Sequence, residues 1–318
     1  MGRSLGIRRL KEILPSEFVD MLYNIYTIKE VDQILTSYLI RRKSTFRVNK
    51  ILAKECEVIY ELNKNGIKYY KYNGENPYFL LKNNEENIIR KLECYKKGEI
   101  YFQNPSSIIP SIILNPKKDD VILDMCAAPG GKTIKIAEII RNTGKVIANE
   151  INSIRYERLK YNIKKHGVKC VECINKDGRF LFKEYENTFH KILIDAPCSG
   201  EGTMEILKNK KVKIIKNNKL IKVQKQLIES AYKCLKKGGY ILYSTCTLSP
   251  KENEEIINYI LNKHKDLRIE SIDLNINNKK LALIKYEEKN YNKELKKALR
   301  IIPNDVMEGF FLCKLKKC

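Results

Sequence analysis

The stretch VILDMCAAPGGKT, residues 121–133, decides the fold. An apolar run ends in Asp124, a turn carries Pro129, Gly130 and Gly131, and IKIAEIIR (134–141) follows with helical period. A buried strand feeding a glycine-bearing turn and then a helix is the opening unit of a doubly wound sheet. The pattern continues downstream. KVIANE (145–150), VECIN (171–175), KILID (191–195) and YILYSTC (240–246) read as further strands. Helices are expected over 153–166, over 222–235 with a stop at Lys236, Lys237, Gly238 and Gly239, and in KENEEIINYIL (251–261), whose acids suit a first turn. LRIIP (299–303) and GFFLCKL (309–315) close the chain as a pair of strands. The class is therefore α/β, a doubly wound, mostly parallel sheet with helices on both faces.

Upstream the character differs. Helical periodicity runs through 16–26 and 29–40, then RRKSTFRVNK (41–50), GIKYYKY (66–72) and PYFLLK (77–82) read as short β segments. The expected organisation is a small α+β domain over 1–105 and a catalytic domain over 106–318. The tyrosines and basic residues of the first part are suited to stacking on RNA and neutralising it, or else the aromatics are core and the lysines solvated.

The 318 residues carry 61 Lys and Arg against 38 Asp and Glu, a formal net charge of +23. Such an excess points to a polyanionic partner, with a lysine-rich proteome as the alternative. Residues 206–228 hold eight lysines and no acid. No apolar run reaches the roughly 18 residues of a membrane span, and the start lacks the apolar core of a signal peptide. A cytoplasmic protein with ten cysteines, mostly reduced thiols, is the expectation. Cys170 and Cys173 form one isolated CxxC, and three histidines show no ligand spacing, so no metal site is implied.

In such a sheet the turn after the first strand lies where ligands bind. Glu150 ends the second strand about 20 residues beyond the glycines, the place from which a carboxylate accepts both ribose hydroxyls. Asp177 follows the third strand and is suited to face an adenine. PGGKT resembles the end of a phosphate-binding loop, but that loop needs glycine where Cys126 stands. G-x-G-x-x-G, the dinucleotide fingerprint, is absent. S-adenosyl-L-methionine, with a ribose and an adenine but no phosphate, suits the acid-bearing turn best. Two cysteines, Cys198 in DAPCSGEGT and Cys246 in YSTCTLSP, sit just past the fourth and fifth strands, whose ends converge on one crevice. A deprotonated thiol is a good nucleophile.

DMCAAPGGKT, DAPCSGEGT and YSTCTLSPKENE together resemble the signature motifs of the Sun/Fmu family of RNA cytosine-C5 methyltransferases. The likeness extends to FRVN (46–49), YFQNPSSIIP (101–110) and MEGFFLCKLKK (307–317), with one departure at Asn104 or Pro105, where a small residue is expected. It covers roughly residues 40 to 318. The resemblance implies a class I methyltransferase domain preceded by a small RNA-binding domain. It implies cofactor contacts from Cys126, Ala127, Ala128, Pro129, Gly130, Gly131, Lys132, Glu150, Arg155, Asp177 and Asp195. Cys246 is similar to the family's nucleophile and Cys198 to the partner cysteine that assists product release, while Lys132 and Asp195 also face the target base. Cytosine methyltransferases that act on DNA use a Pro-Cys after the fourth strand, which by analogy favours Cys198 as nucleophile instead. Transfer RNA is favoured over ribosomal RNA because no long insertion or appended RNA module is seen. A non-catalytic RNA-binding protein and an NTPase are the rival readings. No protein partner is implied, and monomer is the default.

Overall fold

The computed structural model describes residues 6–72, 77–83, 85–207, 212, 214 and 218–318. Helices α1 (Ile7–Ile13), α2 (Ser16–Ile25) and α3 (Ile28–Tyr38) come first. A capping box starts α3: Thr27 accepts the Glu30 N–H and Glu30 accepts the Thr27 N–H. The i, i+3, i+4, i+7 set Val31, Ile34, Leu35 and Tyr38 is buried along one face.

Next come β1 (Thr45–Val48), α4 (Glu55–Lys64), β2 (Tyr69–Tyr72), β3 (Tyr78–Leu81), α5 (Glu86–Ile89), α6 (Glu93–Lys96) and β4 (Ile100–Phe102). These strands form an antiparallel sheet in the order β2-β3-β1-β4. Its core stacks Phe46 on Phe79 at 5.0 Å, with Val58 and Leu62 of α4 packed alongside. The phenylalanines are thus core, whereas Tyr70 and Tyr72 are exposed and the Lys82 ammonium lies 4.4 Å from the Tyr70 ring centre.

The chain continues through α7 (Pro105–Ile113), β5 (Val121–Asp124), α8 (Gly131–Ile139), β6 (Lys145–Asn149), α9 (Ser153–Lys165), β7 (Val171–Ile174), α10 (Phe182–Tyr185), β8 (Phe189–Asp195), α11 (Asn218–Cys234), β9 (Leu235–Thr245) and α12 (Glu254–Lys263). It ends with β10 (Leu267–Glu270), β11 (Lys279–Leu281), the short pair β12 (Lys285–Tyr286) and β13 (Lys289–Asn290), β14 (Leu299–Ile301) and β15 (Phe310–Lys317). Cys173 lies in β7 and Cys170 directly precedes it. Among the described residues, no helix is long and apolar enough to cross a membrane.

Packing divides the described residues into two compact units, one from Lys43–Asp195 and Ser230–Leu242, the other from Met1–Arg42, Ala196–Glu229 and Tyr243–Cys318. In the first unit the strands run β9-β8-β5-β6-β7, and β5 pairs in parallel with both β8 and β6. Ile122, Leu193 and Leu242 pack with Ile136 and Ile140, and Ala148 packs with Ile134, Leu159 and Ile163. Burial on both faces explains why these strands read as continuous apolar runs. In the second unit β15 pairs antiparallel with β14 and β10, and Phe311 meets the Tyr243 ring edge-on at 6.4 Å.

One boundary departs from the sequence reading. The helix ends at Cys234 and β9 begins at Leu235, so Lys236–Gly239, expected as the helix stop, lie inside β9. Two glycines permit this direct reversal. Gly238 adopts φ +78°, and a Cβ on Gly239 would meet the His190 carbonyl oxygen at 2.8 Å.

His166, which follows α9, is 3% exposed, and its Nδ1 lies 2.7 Å from the Gly98 carbonyl. Burial pushes its pKa down to about 4. The unfolded chain takes up this proton near pH 6.5 and the folded chain only near 4, so stability present above pH 6.5 is lost as pH falls through that window. Asp124, raised to about 7 by burial, acts with the opposite sign, so the comparison must be made against a variant. His166→Gln is expected to remove about 2–3 kcal/mol of acid-dependent destabilisation between pH 7 and pH 4. Urea unfolding at both pH values checks this, and an unchanged pH slope would refute it.

Candidate active site

Chemistry-bearing side chains gather in two places, one in each compact unit. In the first unit, β5 delivers Asp124, fully buried, whose Oδ2 accepts the Thr133 hydroxyl at 2.7 Å. Its Oδ1 has no hydrogen-bond partner among the described residues. Gly130 caps α8 at φ +111°, a left-handed backbone that favours glycine, and a Cβ on Gly131 would sit 2.9 Å from the Tyr101 ring. Three side chains hold the carbonyls of the turn: Asn149 donates to Met125 O (3.1 Å), Arg155 to Ala128 O (2.7 Å) and Asn162 to Pro129 O (2.8 Å). Cys126 lies in this turn, and burial pushes its thiol well up, which keeps it neutral.

Glu150 follows β6 and is 2% exposed. Its Oε1 accepts the Asn152 N–H at 2.9 Å and its Oε2 lies 3.4 Å from the Arg155 guanidinium. Asn175 donates to the carbonyls of Glu150 (2.5 Å) and Ile151 (3.1 Å), tying the ends of β6 and β7 together. Asp177 is engaged by Arg179, whose Nε and Nη2 lie 2.9 and 2.6 Å from its oxygens and hold the carboxyl below its ordinary range. Lys132 projects from α8 to Asp195 at the end of β8 (2.7 Å) and to Ser107 of α7 (2.8 Å). The structure thus joins Lys132 to Asp195 and Glu150 to Arg155, and commits Asp177 to Arg179.

In the second unit, Cys198 stands three residues past the end of β8 and Cys246 one residue past β9. Their sulfurs lie 3.2 Å apart, and the Cys246 N–H donates to Cys198 Sγ at 3.3 Å. Both cysteines are half-buried and neither is in a disulfide. Gly202 N–H holds the Cys246 carbonyl at 2.9 Å, and a Cβ on Gly202 would lie 2.3 Å from Gly309 O, so the close crossing of these loops requires glycine.

Residues that sequence reading missed surround both places. Ser107, Asn149, Asn162 and Asn175 lie on no hydrophobic period, and asparagine is too abundant here to mark a site. Ser199, Glu201, Thr247 and Glu252 stand inside the quoted motifs, where the cysteines alone drew a role. The acids expected to serve the dipole of α12 divide: Glu252 precedes the helix and accepts Ser199 N–H (3.2 Å), while Glu254 accepts the Arg300 guanidinium (2.7 Å).

The basic stretch 41–50 is also corrected. Arg47 is 2% exposed, because β1 is an interior strand of its sheet, and it reaches Glu138 (2.7 Å) and Gly131 O (3.2 Å). Arg42 is half-buried and binds the carbonyls of Met204 (3.3 Å) and Asn304 (3.2 Å). These two cations build structure, and Arg41, Lys43 and Lys50 are the exposed ones.

A family model described as 16S rRNA methyltransferase RsmB/F matches residues 111–316. The chain is 40% identical over 247 residues to the tRNA (cytosine(49)-C(5))-methyltransferase of Pyrococcus abyssi, with 75% of this chain and 76% of the relative covered. It is 31% identical over 307 residues to the 25S rRNA (cytosine-C(5))-methyltransferase nop2 of Schizosaccharomyces pombe, covering 94% of this chain but 50% of that protein. The crystal structure of a methyltransferase homolog from Pyrococcus horikoshii superposes with a TM-score of 0.83 at 28% identity, covering 100% of both chains. Together with the motifs that resemble Sun/Fmu enzymes, these matches show that the chain belongs to the RsmB/F methyltransferase family.

Proposed function

We propose that this protein is an enzyme that methylates carbon 5 of a cytosine in RNA, with transfer RNA the favoured substrate. The observation that supports this reading most is the 3.2 Å approach of Cys198 Sγ to Cys246 Sγ. A non-catalytic RNA-binding protein has no use for two apposed thiols. A relative of which this chain covers 76% is named a transfer RNA enzyme. Ribosomal RNA is the second reading, favoured by the nop2 match over 94% of this chain.

The residues of the turn fit S-adenosyl-L-methionine. Glu150 is suited to accept ribose hydroxyls, and the orphaned Oδ1 of Asp124 leaves a buried acceptor for a donor. Lys132 is committed to a carboxylate and a hydroxyl, which suits this cofactor better than a triphosphate. Residues 126–131 would line it, with Arg155, Asp177 and Asp195 completing the set. When bound, the cofactor supplies an electrophilic methyl group to carbon 5.

The chain's own residues supply the rest. The Cys246 thiolate adds to carbon 6, which makes carbon 5 nucleophilic. Asp195 accepts a hydrogen bond from the exocyclic amine and fixes the base, and the Lys132 ammonium beside it offsets the negative charge that spreads onto N3 and O2 of the ring. Cys198, directly or through a water, removes the carbon 5 proton; the electron pair re-forms the ring double bond and the Cys246 sulfur leaves. The base reaches these groups by leaving its stack. The same reading takes residues 1–105 as the RNA-holding part and 106–318 as the catalytic part, in a cytoplasmic monomer. Bisulfite sequencing of total RNA from cells with and without the gene tests it: a transfer RNA cytosine that loses its methyl mark supports it, and an unchanged map refutes it.

Lys210, Lys211 and Lys213, proposed as RNA contacts, lie outside the described residues. Changing all three to Glu is expected to weaken RNA binding and to lower its salt slope by about 0.7–0.9 per lost phosphate contact, with cofactor affinity unchanged. Filter binding across a salt series checks this, and an unmoved RNA affinity would count against it.

A further inference from the structure

Two carboxyl groups and two hydroxyls link the loops that carry the cysteines. Ser199 Oγ contacts Glu252 Oε1, Ser199 Oγ lies 2.9 Å from Thr247 Oγ1, and Thr247 Oγ1 contacts Glu201 Oε2. Ser199 is the neighbour of Cys198, and Thr247 is the neighbour of Cys246.

The proton inventory of this chain does not close if both acids are ionised. Three contacts need three donors, and the two hydroxyls supply two. A third proton is required, and the surrounding partners indicate where it sits. Glu201 Oε2 also accepts the Leu248 N–H at 3.3 Å, and Thr247 Oγ1 also accepts the Ser249 N–H at 3.1 Å. Glu252 Oε2 accepts from Ser199 N (3.2 Å) and Gln224 Nε2 (2.8 Å), which leaves Oε1 as the oxygen that can carry hydrogen. The order is then Glu252 O–H to Ser199, Ser199 O–H to Thr247, and Thr247 O–H to the Glu201 carboxylate.

Burial favours this arrangement. Glu252 is 6% exposed and Glu201 4% exposed. Among the described residues, they line a cavity of about 560 Å³ that also bears Glu17, Asp20, Glu287 and Lys251. Burial pushes the Glu252 carboxyl above the ordinary range, and the nearby Glu201 carboxyl acts in the same direction. Neighbouring bonds fix the frame: Gln224 also donates to Pro197 O (2.9 Å), Tyr243 to Glu252 O (2.7 Å) and Asn253 to Thr247 O (3.1 Å).

We propose that Glu252, in its protonated form, is a positioning residue that clamps the Cys198 loop to the Cys246 loop through Ser199, Thr247 and Glu201. The proposal rests on the methyltransferase reading for its kinetic consequence, but the clamp itself is independent of that reading. It acts through the cysteines, because the hydroxyl bridge sets how closely Cys198 Sγ approaches Cys246 Sγ. A glutamine at 252 supplies the same donor toward Ser199 and the same acceptor toward Gln224.

The test compares E252Q with E252A, each first confirmed folded by its thermal transition. One readout needs no RNA: the rate at which an aromatic disulfide reagent converts Cys198 and Cys246 into an intramolecular disulfide, followed by peptide mass spectrometry. The reagent's disulfide is reduced to two thiols as the cysteines are oxidised. E252Q should stay within about threefold of wild type, and E252A should fall about 10- to 100-fold, the scale of an ångström-sized misplacement. Single-turnover methyl transfer should follow the same order through kcat, with KM for RNA little changed. E252A with wild-type disulfide rates, or E252Q as damaged as E252A, would overturn the clamp. A wild-type protein that forms the disulfide rapidly but transfers no methyl group would refute the methyltransferase reading and leave the clamp standing.

Discussion

Cys246→Ala is expected to lower single-turnover methyl transfer about 10⁴-fold, the scale of losing a covalent nucleophile. Carbon 5 of cytosine has no adequate nucleophilicity until a thiolate has added to carbon 6, so no other group compensates. Cys198→Ala should have a different signature. Addition and methyl transfer proceed, but removal of the carbon 5 proton fails, and a stable protein–RNA adduct accumulates on a denaturing gel. The geometry suits this division. The Cys246 N–H points at Cys198 Sγ, a donor that stabilises negative charge on Cys198 before it takes a proton. RNA containing 5-fluorocytosine decides the matter, since it traps whichever cysteine attacks. Trapping by the Cys246→Ala protein, with none by Cys198→Ala, would exchange the two roles.

Arg300→Met is expected to destabilise the protein by about 3–5 kcal/mol in urea unfolding at pH 7. Arg300 is 1% exposed and Glu254, its partner, fully buried. Burial alone would weaken the guanidinium's hold on its proton, but Glu254 reverses that and raises its pKa. The same guanidinium donates to Tyr26 Oη (3.1 Å) at the end of α2 and to Leu248 O (2.9 Å) just after Cys246. Methionine fills the volume but leaves the Glu254 carboxylate buried and uncompensated. Arg300→Met/Glu254→Gln removes both charges and should recover most of the loss. A loss below about 1 kcal/mol for the single variant would show that the pair contributes little. The Leu248 contact adds a second consequence: the single variant should also slow adduct formation, because it loosens the segment that carries Cys246.

How far the sequence reached depends on the range of each interaction. The strands of the parallel sheet, the turn at 126–131 and the polar residues at strand ends follow from short-range signals. An apolar run that stops at Asp124, Glu150 or Asp195 marks its own end, and contiguous motifs carry Lys132, Cys198 and Cys246. Charge was less informative. The stretch 41–50 reads as one basic surface, yet its third arginine lies in an interior strand and its second is spent on carbonyls. No local period separates a cation that meets solvent from one that meets Glu138, 91 residues away.

The sequence alone therefore determined the α/β class, the glycine-bearing turn at 126–131 and the two thiols at strand ends, because each is written in residues adjacent on the chain. Tertiary structure alone decided that the thiols meet at 3.2 Å, that Ser107 and Asp195 share the Lys132 ammonium, and that Arg300 holds Glu254. Those pairings join residues 25 to 63 positions apart. They form only where the sheet order brings strand ends and loops together, and the energy of a buried hydrogen bond or ion pair leaves no periodic trace along the chain.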